Sequence, residues 1–147
     1  MEDLLLAVHV LAGILFIGPV AVTTSLFPRF ALQPAAGAPT EPCGPAVARV
    51  LHRITRTYGI FALVVPLVGL GLAAVQGRLG EIWITIAMVL TAVAGGLLAL
   101  RIVPAQRDAL AETLDAQGAR ILRVLTGVFN LLWAVVVVLM IVRPGAE

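Results

Sequence analysis

The chain has 147 residues, of which 61% are hydrophobic and 12% charged, and its mean hydropathy is +1.07. A water-soluble domain carries about twice that share of charge, so this composition excludes one and calls for a bilayer. All ten basic residues are arginine and the net charge is +2, too little for nucleic-acid binding, while a single cysteine, Cys43, excludes an internal disulfide and zinc sites built from paired cysteines.

The chain opens with Glu2 and Asp3, where a secretory signal has a basic region, and the apolar run that follows is too long for a cleaved signal. It is expected to be a retained first span over residues 4–27, with Pro28 at the point where a helix stops. Residues 28–45 form a loop with five prolines and two glycines, a composition that holds no regular structure. From Ala46 the pattern turns helical, with Arg49, Arg53 and Arg56 on one face, so the second helix is expected to start before its span, 58–75. The third span is 82–100, ending at Arg101 and Pro104. Residues 106–117 read as a short amphipathic helix that Gly118 separates from the last span, 124–142. No water satisfies backbone groups in hydrocarbon, so each span must be a helix, including the β-branched run Val135 to Val138.

Eight arginines fall in or beside the two loops that join spans one to two and three to four, against Arg78 and Arg143 on the other side. The positive-inside rule makes that first side cytoplasmic and both termini extracytoplasmic. The fold expected is therefore an all-α bundle of four transmembrane helices, N-out and C-out, with short cytoplasmic amphipathic extensions, in one domain. On the cytoplasmic face Arg49, Arg53, Arg56, Arg107, Arg120 and Arg123 are expected to meet anionic lipid. The short turn 76–81 makes spans two and three antiparallel neighbours.

Span three has small residues at every fourth position, Ala87, Thr91, Gly95 and Ala99. Such a row lets another helix approach closely, within the bundle or in a homodimer. Gly13, Gly18, Gly69 and Gly71 are further contact points on the helices before it.

His9 stands out, because an ionisable side chain inside a span is costly and is by default a functional candidate. Thr85, at a similar depth on span three, is a hydrogen-bond partner for a neutral, structural imidazole. The alternative is a ligand. His9 and His52 lie too far apart for one heme, whereas His9 with Met88 is open to heme b, and Met1, Met88 and Met140 with His9 form a thioether and imidazole set suited to copper(I). Asn130 suits an interhelical hydrogen bond, or a solute path with His9, Thr85 and Thr91. Thr23, Thr24 and Ser25 can bond to their own helix backbone. Tyr58, Trp83 and Arg143 sit at span ends, as anchors do. Spans without acidic residues argue against an ordinary carboxylate-driven transporter, and no catalytic motif is present.

The run from His9 through Gly13 and Gly18 to Pro19, the Leu-Phe-Pro-Arg ending at Arg29, the Arg56-Thr-Tyr-Gly entering span two, and the segments Gly127 to Trp133 and Leu139 to Gly145 resemble a family of small predicted bacterial integral membrane proteins of unknown function. That resemblance covers all four spans and implies the fold. A more distant likeness, a histidine early in the first helix followed by glycines, is to the copper-resistance D and membrane protoporphyrinogen oxidase J families, and it implies copper handling or heme-dependent oxidation centred on His9. The function expected is a non-catalytic accessory or assembly component of a bacterial cell membrane. The alternatives are a heme- or copper-binding redox protein and a small solute carrier or channel.

Overall fold

The computed structural model describes residues 2–32 and 44–145. Four helices are long and apolar enough to cross a membrane: α1 (Asp3–Ala31), α2 (Gly44–Val75), α3 (Ile82–Ala111) and α4 (Ala116–Val142). Only 17 to 22% of each apolar window is buried inside the protein, so most large side chains face outward, as in lipid and not as in a water-soluble bundle. The described residues contain no strand; one isolated bridge pairs Leu32 with Leu114. Most of the proline-rich loop, including Cys43, and the Met1 invoked above lie outside the described residues.

Each helix outruns its apolar stretch, and two expected boundaries are corrected. Pro28 does not stop α1, which continues to Ala31. Residues 106–117 are not a separate helix: α3 runs on through Ala111, a link spans 112–115, and α4 starts at Ala116. Gly118 is no separator either. It lies in the first turn of α4, where its N–H donates to the Asp115 carboxylate at 2.7 Å, an N-cap.

The prolines explain these differences. Proline lacks the N–H that bonds the carbonyl four residues back, and its ring crowds that carbonyl. Four residues before Pro19 is Leu15, inside a π-helical turn, Gly13–Ile17. Four before Pro104 is Leu100, inside a second π turn, Leu98–Ile102. Four before Pro66 is Ala62, where α2 is interrupted between Phe61 and Val64. In each case the backbone loosens locally and the helix resumes. At Pro28 a side chain supplies the missing donor: the Thr126 hydroxyl on α4 donates to the orphaned Thr24 carbonyl at 3.4 Å.

The order around the bundle is α2, α1, α4, α3, since α1 packs on α2 and α4, and α4 on α3. At the end reached by the α1–α2 and α3–α4 links, here the arginine end, Phe27, Ala48, Leu51, Leu114, Ala119 and Leu122 close a core. At the opposite, terminal end the helices form two pairs, α1 with α2 and α3 with α4. The α2–α3 turn is a Schellman cap: Gly77 has φ +67°, and the Gly77 and Arg78 N–H groups donate to Ala74 and Ala73. Although joined by that short turn, α2 and α3 meet only slightly in this half. Arg143, at the end of α4, holds its guanidinium 5.9 Å from the Trp83 ring centre on α3.

Candidate functional site

The residues singled out in the sequence do not converge. His9 is buried on α1, where its Nδ1–H donates to the Val65 carbonyl of α2 at 3.1 Å. A carbonyl only accepts, so Nδ1 carries the hydrogen and the lone pair lies on Nε2. The ring rests on Gly69: a Cβ there would lie 2.8 Å from His9 Cε1, so glycine is what allows this approach. Thr85 is exposed and is not the partner of His9. Met88 lines the gap between α2 and α3, beside Leu63 and Pro66, a different face of α2 from the one His9 meets. His52 is seventeen residues from Gly69 along α2, about 25 Å at helical rise. Asn130 donates from Nδ2 to Ser25 Oγ on α1 at 3.2 Å. Thr24 and Ser25 bond to their own helix, at Val20 and Ala21. Gly13, Gly18 and Gly71 face open space and are not contact points within the bundle.

A polar seam that the sequence reading missed runs through the arginine half. Thr23 and Thr55 hydroxyls pair across α1 and α2 at 2.8 Å. His52 Nδ1 donates to Oε1 of Gln106, a wholly buried side chain on α3, at 3.2 Å. The partners are 32 and 54 residues apart in the chain, and hydrophobic periodicity does not say how two helices face each other. The six arginines 49, 53, 56, 107, 120 and 123 are all exposed at this end.

The second feature missed is a cleft of about 610 Å³ where α2 and α3 diverge, within the size range of small-molecule sites. Arg56, Gly59, Leu63 and Pro66 of α2 face Met88, Thr91, Gly95 and Ala99 of α3, with Phe129 and Trp133 of α4 also in the wall. The small-residue row of span three is thus split, with Ala87 buried and the other three lining the cleft. All three proline-loosened turns contribute to the wall: Ile17 from α1, Ala62 and Leu63 from α2, Leu98 and Ala99 from α3. The signal was present in the sequence as Pro19 and Pro66 inside two apolar runs and Pro104 just past the end of a third. Arg56 is the one charged residue among the described residues of the lining. Thr91 and the Trp133 indole N–H, which has no partner among the described residues, are its other polar groups.

Among the described residues no three His, Cys, Asp or Glu side chains cluster as a metal site. No family model, curated protein or solved structure matches the chain.

Proposed function

We propose that the protein is a non-catalytic accessory or assembly component of a bacterial cell membrane, that its arginine end faces the cytoplasm with both termini outside, and that its working surface is the cleft between α2 and α3. The observation that carries this reading is the division of labour inside the bundle. The buried threonines, His9 and His52 hold helices together, while the cleft between α2 and α3 is lined almost wholly by apolar side chains. The arginine asymmetry supports the orientation. The exposed arginines at that end suit anionic lipid headgroups at about 1 kcal/mol each. The test is crosslinking of the tagged chain in its own membrane: a complex of fixed composition that Gly95→Leu, which fills open space in the cleft, disperses. A chain that crosslinks to nothing reproducible overturns the reading.

One observation favours a second reading. A histidine that donates one ring N–H to a backbone carbonyl, leaving the other nitrogen bare, is arranged as metal-ligating histidines are, and His9 is so arranged. A heme- or copper-binding redox protein predicts a Soret band or stoichiometric copper in detergent-purified protein, lost in His9→Ala. A spectrum and metal content that His9→Ala leaves unchanged sink it. The carrier reading has weaker support, since only Thr91 of its four residues lines the cleft.

A further inference from the structure

We infer that the α2–α3 cleft is a binding site for one acyl chain of an anionic phospholipid, with the lipid phosphate held at Arg56; this rests on the cleft being the working surface. Shape is the first argument. Met88 and Val103, at the two ends of the α3 wall, are fifteen residues apart, about 22 Å at 1.5 Å per residue. A volume of about 610 Å³ over that length makes a long open groove. A single hydrocarbon chain, with carbons in contact at about 4 Å, needs roughly 16 to 20 Å² of cross-section, and the groove admits one along its length.

Charge is the second argument. The lining is apolar for its whole length except for Thr91, the Trp133 indole and, at the arginine end, Arg56. Arg56 is exposed and has no ion pair among the described residues. It stands two residues below Tyr58, where the apolar stretch of α2 begins, at the level a headgroup occupies when its chain lies along α2 and α3. A guanidinium presents a fork of donors that fits phosphate oxygens, whereas a zwitterionic headgroup offers its phosphate together with a cation that Arg56 repels.

The experiment uses the full chain in vesicles of phosphatidylcholine and phosphatidylglycerol at 3:1, with either lipid carrying a diazirine on one acyl chain, and maps the labelled peptides by mass spectrometry. Expected is labelling at residues 91–99 by the glycerol lipid, about fivefold above the choline lipid, the factor one arginine supplies. Arg56→Gln, a surface change, removes that preference, and Gly95→Leu removes the labelling while leaving label on outward-facing α4 residues. Equal labelling by both lipids, or a preference that Arg56→Gln leaves intact, overturns the inference. So does disulfide dimerisation through Ala99→Cys in a Cys43→Ser chain, which places a second copy in the cleft. The two readings fail separately. A native complex that Gly95→Leu disperses although no lipid labels the cleft sinks the lipid site alone, and lipid labelling beside a complex indifferent to Gly95→Leu sinks the assembly role alone.

Discussion

The two halves of the bundle are held together differently. In the arginine half all four helices meet, around a core with Phe27 and Ala48 fully buried, and hydroxyl, imidazole and amide bonds tie α1 to α2, α4 to α1 and α2 to α3. In the terminal half the helices fall into pairs, and among the described residues one buried polar contact, His9 on Val65 and Gly69, joins α1 to α2. Lipid tails are as apolar as leucine, so apolar surface alone does not draw helices together in a bilayer. Close backbone approach and interhelical hydrogen bonds decide where they meet. The arginine end, which has several, is closed, and between Arg56 and Met88, where no such bond joins α2 to α3 among the described residues, a cleft stands open.

That contrast predicts a graded response to substitution, read as unfolding free energy in detergent. The largest effect belongs to Gly69→Leu, which drives side-chain carbons into the His9 ring and should cost about 1 to 3 kcal/mol. His9→Ala in the same chain should recover at least half of that, and tolerance of leucine beside an intact His9 would break the comparison at its root. Next is Thr126→Val, expected to cost about 1 kcal/mol because the Thr24 carbonyl loses its donor. In a Pro28→Ala background, where residue 28 supplies an N–H to that carbonyl, the same change should cost about a third as much; equal costs in the two backgrounds would show that the proline does not create the need. Thr55→Val removes the Thr23 partner and should cost about 0.6 kcal/mol, the average for such bonds in membranes, since Thr23 keeps its bond to Val20. A loss several times larger would mean that the seam acts as one unit and not as separate bonds. Smallest is Thr85→Val, at an exposed position, expected within about 0.5 kcal/mol of zero. A larger shift would reveal a contact of Thr85 with His9 or its surroundings.

The four helices were legible because twenty-residue apolar runs have one solution in hydrocarbon. The early start of α2 was legible from the spacing of Arg49, Arg53 and Arg56. The ends of α1 and α3 were not. Proline announces a lost donor, but whether the helix stops depends on whether something else serves the freed carbonyl, here Thr126 on a helix about a hundred residues away or a π turn formed in place. His9 was legible as an exception to the apolar rule, yet its partner was not, because the residue that receives it is a glycine with no side chain to signal the contact. Gln106 was passed over as part of a short surface helix; once α3 continues through Pro104, the same residue turns inward to His52.

The meeting of His9 with Gly69 also constrains how this chain can diverge. A methyl group at position 69 and an imidazole at position 9 compete for the same space, so the glycine is not free to drift while the histidine stays. Related chains that lose the glycine should also carry a smaller residue in place of the histidine, and that paired substitution would mark inheritance of this helix contact where overall similarity has faded.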